Sequence, residues 1–313
     1  MRSRPYEHPR DLWTIQDLVS RTWSPDARWH IGEIAWNRLE HLGREPEWPT
    51  RIWEDGDTAV AWGWLRPPGH LDLCVDPAFP ALTDDVLSWF ESEAIGDELT
   101  VTITADEPHQ ALVDRDYEPE ERDRFFLHLR RNLDDLATPA LPPGYTLRTV
   151  RGEQDVEERV AIHRAAFAPS EVTVESYRAI MGASPYRPDL DCVAEAADGS
   201  FVAFCLMWLD ERNGVGQMEP VGTHPDHRRL GLGSAVCLEA LARLREAGAT
   251  SAIVAARGDD ADPAPRGLYM SIGFREHTHN VRYRRLRYRD GVGRNVPVIG
   301  RSAVKRERRR SHR

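Results

Sequence analysis

The strongest pattern of apolar and polar positions lies in residues 216–249, GQMEPVGTHPDHRRLGLGSAVCLEALARLREAGA. Its first part, 217–223, has the composition of a short strand. A basic turn with two glycines comes next, followed by a helix over 234–246. In that helix, apolar residues recur at i, i+1, i+4 and i+7 from Cys237, which places them on one face. The pattern therefore predicts a strand, a tight turn and an amphipathic helix in succession.

Similar patterns predict further elements on both sides of this segment. Strands are expected at 146–150, 191–196, 202–209, 251–256 and 274–283. Helices are expected at 155–167, 174–181 and 265–271. This mixture predicts the α/β class, with an α+β mixed sheet that carries helices on both faces.

The pattern occurs twice along the chain. A proline-rich linker at 138–143 separates two halves, and EDGDTAVAWGWL in the first half is similar to AADGSFVAFCLMWL in the second. In both, an Asp-Gly turn precedes an apolar strand, as in a hairpin. A chain of 313 residues has room for two domains. We therefore expect two tandem domains of one fold, at 1–137 and 144–290, and a C-terminal extension with a basic tail at 291–313.

Composition narrows the possible functions. The net charge of −10 disfavours non-specific binding to nucleic acid or anionic membranes, and an acidic protein favours a cationic acceptor such as an amine. No stretch approaches the about 20 apolar residues of a membrane span. The four cysteines are scattered through apolar segments, and the N-terminus is too polar for a secretory signal. These features together favour a cytoplasmic protein.

The glycine turn is the first candidate for a binding site. Backbone N–H groups at a helix N-terminus bind anions, and Gly231 and Gly233 leave the main chain open to a phosphate. Arg228 and Arg229 add positive charge beside the turn. The spacing is not that of a P-loop, because no lysine follows, and it is not the G-x-G-x-x-G of dinucleotide-binding folds. The turn therefore favours a di- or polyphosphate.

Two motifs resemble those of the GNAT superfamily of acyl-CoA-dependent N-acyltransferases. Arg228, Gly231 and Gly233 match its Arg/Gln-x-x-Gly-x-Gly/Ala signature, and a Val-x-x-His-Pro segment at 221–225 precedes them. Leu-Tyr-Met-Ser-Ile-Gly-Phe at 268–274 resembles its second motif. The resemblance implies two tandem GNAT-like domains, each a mixed twisted sheet flanked by helices. It also implies acetyl-CoA, or another acyl-CoA, as co-substrate and no metal.

The resemblance also implies which residues hold the cofactor. The strand before the turn is expected to bulge at Pro220 and to splay from the next strand, which leaves backbone groups free for the pantetheine arm. The main-chain amides of the turn are expected to hold the pyrophosphate. The cofactor-binding residues implied in this way are Val221, Gly222, Thr223, Arg228, Arg229, Leu230, Gly231, Leu232, Gly233 and Ser234.

Two residues are candidates for catalysis. In the family, the tyrosine of the second motif protonates the leaving thiolate, and the matching residue here is Tyr269. Glu219 is the candidate base, because an ammonium must lose a proton before it attacks a thioester. By strand alternation Glu219 is expected to share one face with Val221 and Thr223. Glu195 is a weaker alternative as the base.

The first half lacks these motifs. PALTDDVL stands where the second half has HRRLGLGS, and its Asp84 and Asp85 would cap the helix and repel a pyrophosphate. Val113 stands in the place of Tyr269. We therefore expect residues 1–137 to form a degenerate GNAT-like domain without the cofactor loop.

The sequence thus predicts an N-acyltransferase that moves an acetyl (acyl) group from acetyl-CoA to a primary amine of a small molecule or peptide. The amine would attack directly in a ternary complex. A non-catalytic acyl-CoA-binding sensor or scaffold protein is the alternative. The basic tail at 305–313 is compatible with nucleic acid as a partner, but a solvated tail is favoured. Membranes are not expected, and the protein is expected to be a monomer or homodimer. His224 and His227 have no further ligands nearby in the sequence, so no metal is expected.

Overall fold

A computed structural model describes residues 1–7, 9–120 and 125–287 of the chain. In the first half the strands are β1 (Arg2–Pro5), β2 (Thr50–Asp55), β3 (Thr58–Arg66), β4 (His70–Val75), β5 (Glu98–Thr104), β6 (Glu118–Pro119) and β7 (Phe126–Asn132). The helices of this half are α1 (Arg10–Thr22), α2 (Ile31–Leu39), α3 (Leu82–Glu93) and α4 (Gln110–Val113).

The second half repeats this order of elements. Its strands are β8 (Tyr145–Thr149), β9 (Asp191–Ala196), β10 (Phe201–Asp210), β11 (Val215–Thr223), β12 (Ser251–Arg257) and β13 (Arg275–Leu286). Its helices are α5 (Val156–Ala166), α6 (Val174–Gly182), α7 (Leu232–Glu246) and α8 (Ala264–Ser271). The strands and helices expected in this half are therefore confirmed, with differences of a few residues at their ends. The basic tail lies outside the described residues.

All the strands of the described ranges join in one mixed sheet. Its order is β1-β2-β3-β4-β5-β13-β7-β12-β11-β10-β9-β8, and β6 pairs with β13. Most neighbours are antiparallel, but β4 and β5 are parallel, as are β11 and β12. Helices pack on this sheet, so the predicted α/β class with a mixed sheet is confirmed.

The two halves exchange strands at the centre of the sheet. Strand β7 of the first half pairs along its whole length with β12 of the second, from Asn132 opposite Ser251 to Phe126 opposite Arg257. Strand β13 begins beside β7 and then continues into the first half, where residues 280–286 pair with β5. The predicted boundaries at 1–137 and 144–290 divide the chain by sequence. In the sheet, however, β7 of the first half lies beside β12 of the second half, and β13 of the second half lies beside β5 of the first.

A shared core fixes the position of α2 over the second half. One apolar cluster contains Trp62 and Trp64 of the first half together with Trp208 and Tyr177 of the second, all of them fully buried. Gly32 on α2 lies against Trp208 so closely that an added Cβ would stand 2.1 Å from the Cγ of the indole. Because only a glycine permits this approach, α2 is held directly on β10 and beside β11.

Helix α7 forms the core of the second half. Its buried residues, among them Val236, Cys237, Leu241 and Leu244, pack on β10 and β11 and join the largest apolar cluster. The helix ends at Glu246; Gly248, just beyond it, has a φ of 99°, and the N–H of Ala249 donates to the Leu244 carbonyl at 3.2 Å. None of the helices in the described ranges is long and apolar enough to cross a membrane.

We predict that Tyr283→Ala in β13 will destabilise the first half, although the residue belongs to the second half of the sequence. The Tyr283 side chain is 7% exposed and packs in the core cluster of the first half with Val101 and Tyr117. Truncation of a buried aromatic side chain of this kind costs about 3 kcal/mol. Urea unfolding measures the loss. The matched control is Arg282→Ala, at an exposed neighbouring position, which should cost less than about 1 kcal/mol. Equal effects of the two substitutions would contradict the exchanged arrangement.

Candidate active site

Strand β11 contains a bulge at its centre. Met218 pairs with Met207 and Val221 pairs with Cys205, so β11 has one residue more than β10 between these pairs. The bulge expected at Pro220 is therefore confirmed, and proline fits because a bulge tolerates the missing N–H. The extra residue interrupts the alternation, so that Met218 and Val221 share one face. The prediction that Glu219 shares this face is wrong.

Beyond the bulge, β11 separates from β12. The parallel ladder between the two strands ends at Gln217 opposite Ile253, although both strands continue. On its other side, the N–H of His224 donates to the Val202 carbonyl of β10 at 2.8 Å. Since hydrogen-bonded pairs alternate along an antiparallel ladder, the backbone groups of Val221 and Thr223 point toward the gap. The expected splay is confirmed.

The turn after β11 presents its backbone N–H groups to solvent. Arg229 and Gly231 have left-handed φ values of 62° and 82°, and α7 begins directly after Gly231. Within the described parts of the chain, the N–H groups of residues 229–234 have no hydrogen-bond acceptor. Successive N–H groups in such a turn, next to a helix N-terminus, form a concave site for an anion.

Neighbouring contacts hold the turn in place. The Arg228 guanidinium donates to the carbonyl of Ala166 at 3.3 Å and to that of Thr223 at 3.4 Å. Gly233 lies so close to α8 that a Cβ would stand 3.1 Å from Leu268 Cδ1. Of the two leucines among the predicted binding residues of the turn, Leu232 is buried and Leu230 is 45% exposed. Arg228 therefore positions the turn, which leaves the main chain and Arg229 to face an anion.

Gly222 and Ser234 complete the set of predicted binding residues. A Cβ on Gly222 would stand 2.6 Å from the Phe204 ring and 2.7 Å from Ala166 Cβ, so a side chain at this position would collide with the core. Ser234 is half-buried in the first turn of α7. The structure thus brings the predicted strand and turn residues to one end of the gap between β11 and β12.

Tyr269 lies on α8 and is 6% exposed, packed in the same core as Cys237 with its ring 6.0 Å from that of Phe274. Its hydroxyl has no hydrogen-bond partner among the described residues. Burial, together with the nearby Cys237 and Glu219, raises the pKa of Tyr269 well above its ordinary value. The phenol is therefore protonated at neutral pH and can donate a proton.

Glu219 lies on the side of the sheet that faces α2. Burial, together with repulsion from the carboxylates of Glu33 and Glu40, raises the pKa of Glu219 to about 8. Its carboxylate has no hydrogen-bond or ion-pair partner in the described part of the chain. A carboxyl group with a pKa near the working pH is suited to act as a general base.

Glu33 and Glu40 are site residues that the sequence analysis missed. Glu33 accepts hydrogen bonds from Arg28 at 2.8 Å and from Gln217 of β11 at 3.2 Å. Burial raises the pKa of Glu40 to about 7. Both belong to the first half and reach the site only because α2 packs on the second half. No local sequence signal distinguishes them from the other acidic residues of the chain.

The other residues considered as a catalytic base or as metal ligands are ion-paired or hydrogen-bonded within the protein. Glu195, the alternative base, forms a 2.5 Å ion pair with Arg148. The Nδ1 of His224 accepts the N–H of Asp226, and His227 is hydrogen-bonded to Tyr145 at 3.0 Å. Across the residues that the structure describes, no group of three or more His, Cys, Asp or Glu side chains could hold a metal ion.

The corresponding turn of the first half has a different structure. At the start of α3, the N–H groups of Leu82, Thr83 and Asp84 donate to the carbonyls of residues 79–81 at 3.0–3.3 Å. The Asp84 carboxylate pairs with Arg115 at 3.0 Å. The backbone donors of this helix are therefore already satisfied by the chain itself.

Comparisons with known proteins agree with this geometry. Residues 158–274 match the model of the acetyltransferase (GNAT) family. A mycothiol acetyltransferase of Thermobispora bispora is 32% identical over 174 residues, which cover 52% of this chain and 58% of the relative. One of Salinispora tropica is 28% identical over 77% of this chain and 83% of its own length. Several of the matches span only about half of the relative's length.

A solved structure extends the likeness to both halves. It is a tandem GNAT protein from the clavulanic acid biosynthesis pathway, with a TM-score of 0.61 at 15% identity over 91% of this chain and 98% of that protein. At this identity the likeness concerns the fold alone. With the family match and the relatives, it leads to one conclusion: the chain carries a GNAT acetyltransferase domain that includes residues 158–274, within a fold shared with a tandem GNAT protein.

Proposed function

We propose that the protein transfers an acetyl group from acetyl-CoA to a primary amine by direct attack in a ternary complex. The observation that carries the proposal is the arrangement at the open gap between β11 and β12. The N–H groups of residues 229–234 lie at one end of it, Glu219 and Tyr269 lie beside it, and none of these groups has a hydrogen-bond partner among the residues that the structure describes. The names of the relatives, mycothiol acetyltransferases, agree with an acetyl donor.

The residues at the gap fit coenzyme A. The N–H groups of 229–234, with the positive charge of Arg229, would hold the pyrophosphate. The backbone groups of Val221 and Thr223 would pair with the amides of the pantetheine arm, as a neighbouring strand would. Acetyl-CoA supplies the activated acyl group as a thioester.

Glu219 and Tyr269 would move the two protons of the reaction. The Glu219 carboxylate takes a proton from the ammonium, so that the neutral amine can attack the thioester carbonyl. The Tyr269 hydroxyl gives its proton to the sulfur that leaves, and its oxygen regains a proton from solvent. Free main-chain N–H groups on β11 are suited to polarise the thioester carbonyl.

The acceptor would bind between the two halves. The carboxyl groups of Glu33, Glu40 and Glu219 cluster in this region, and a cationic amine relieves the repulsion between their ionised forms, which favours it over a neutral or anionic acceptor. In this proposal the first half is a degenerate copy that holds no coenzyme A, but its α2 helps to bind the acceptor.

We place the protein in the cytoplasm. Cys192, Cys205 and Cys237 are buried free thiols, and Cys74 is a half-buried one. Thiols that remain unpaired in this way are typical of a reducing compartment.

The first test is calorimetry with coenzyme A. We expect one molecule to bind per chain, and pantetheine, which lacks the pyrophosphate, to bind at least about tenfold more weakly because it makes no charge-assisted hydrogen bonds with the turn. Absence of coenzyme A binding would sink the proposal. Equal affinity for pantetheine would show that the turn does not hold the pyrophosphate.

Glu219→Gln and Tyr269→Phe should each lower kcat by about a hundredfold or more, since each removes a proton-transfer group. Thiol release from acetyl-CoA with a panel of primary amines measures the rate, and calorimetry should show unchanged coenzyme A affinity. Glu195→Gln and Tyr117→Phe, at residues away from the gap, are the matched controls. A protein that binds coenzyme A but acetylates none of the amines would instead support the sensor or scaffold alternative.

The pH dependence should report Glu219. We expect kcat/KM to rise tenfold per pH unit below about 8 and to level off above it, because the base must be ionised. In Glu219→Gln this rise should disappear.

The free energy of unfolding should also depend on the protonation of Glu219. Its raised pKa stabilises the folded protein most at pH below 4.5, and this contribution is lost as the pH rises to about 8. Urea unfolding of the two proteins across this range would reveal a constant difference if Glu219 were not buried.

A further inference from the structure

The first half contains an apolar cavity where its own sheet opens. Strands β4 and β5 pair only at His70 opposite Thr100 and Leu71 opposite Val101, and then diverge. The opening holds a cavity of about 280 Å³. Its apolar lining includes Val19, Leu73, Val75, Val101, Ile103 and Leu112. This gap corresponds in the fold to the one between β11 and β12.

Among the titratable side chains that line the cavity, Cys74, Arg28 and Glu107 have partners within the protein. The Cys74 thiol lies 3.9 Å from the Thr22 hydroxyl, and burial raises its pKa to about 12, so it stays neutral. The Arg28 guanidinium is paired with Glu33, and the Glu107 carboxylate accepts the N–H groups of Thr104 and Arg28 at 2.8 and 3.2 Å. The charges of Arg28 and Glu107 are thus compensated within the protein, so they do not call for a charged ligand, whereas the Arg28 Nε has no hydrogen-bond partner among the described residues.

The part of the cavity beside α3 does not suit a phosphate. Thr83 lines the cavity from the first turn of α3, where the backbone donors are satisfied by the chain and no glycine opens the turn. Asp84 and Asp85 stand in the same turn and would repel an anion. Asp76, which also lines the cavity, is paired with Arg21 at 3.2 Å.

We propose that this cavity is a second ligand site, which takes an apolar, phosphate-free molecule of about ten non-hydrogen atoms. The volume corresponds to the space of about nine water molecules in the liquid. Apolar cavities of this kind gain affinity by removing apolar ligand surface from water. The inference is separate from the proposed acetyl transfer, because it concerns the other half and needs no coenzyme A.

Indole and indoxyl phosphate form a matched pair of probes, since they share a ring system and differ by a phosphate. Ligand-observed NMR of the full chain should show saturable binding of one indole, and indoxyl phosphate should bind at least about tenfold more weakly. Saturating coenzyme A should leave indole binding unchanged. Absence of saturable indole binding would overturn the proposal.

Displacement of indole by coenzyme A, or two coenzyme A molecules per chain, would also overturn it, because the cavity would then be a second cofactor site. Failure of the chain to bind coenzyme A at all would defeat the proposed acetyl transfer and leave the indole result untouched. The two failures are therefore distinguishable.

Ala111→Trp fills the cavity from α4 and should weaken indole binding at least tenfold. Val113→Trp, at a 46% exposed position of the same helix, is the control and should leave it unchanged. Thr83→Trp fills the cavity from α3 and replaces Ala111→Trp if that variant does not fold. Unchanged indole affinity in a folded, filled variant would show that indole binds elsewhere.

Discussion

The backbone pairing of β7 between β12 and β13 is the constraint on which the rest of the structure depends. It joins the sheets of the two halves into one, with β13 passing from the second half into the first. Each half obtains its completing strand from the other, so neither sheet has its full set of hydrogen bonds without its partner. The exchange also fixes the angle and distance between the halves, which brings α2 over β11.

The candidate site depends on this fixed relationship. The turn at 228–233 and Tyr269 are built within the second half, whereas Glu33 and Glu40 come from the first. The raised pKa of Glu219 results from contributions of both halves, because β11 supplies the half-buried position and the segment of α2 supplies the repulsion from Glu33 and Glu40. A carboxyl group poised in this way is a property of the assembled chain and of neither half alone.

Local features of the sequence predicted the elements and the turn correctly. Gly231 is required by its left-handed φ, which is a local property of the turn, whereas Gly233 lies close to Leu268 of α8, a residue distant in the sequence. The side on which Glu219 lies was not predictable by counting, since the bulge adds a residue to β11. The strand exchange and the role of α2 depend on contacts between distant residues, for which periodicity carries no signal. The assignment of the catalytic and cofactor residues stays a prediction.

The exchange of strands also sets the order in which the protein can fold during its synthesis. Domains generally fold as units as the chain leaves the ribosome, N-terminal first. Here the partner of the β5 edge, residues 280–286, is made only after the other strands of both halves. The apolar core of the first half includes Tyr283, so the edge of β5 stays unpaired until that strand has been synthesised. A chaperone that covers that edge would act on this half before the second exists.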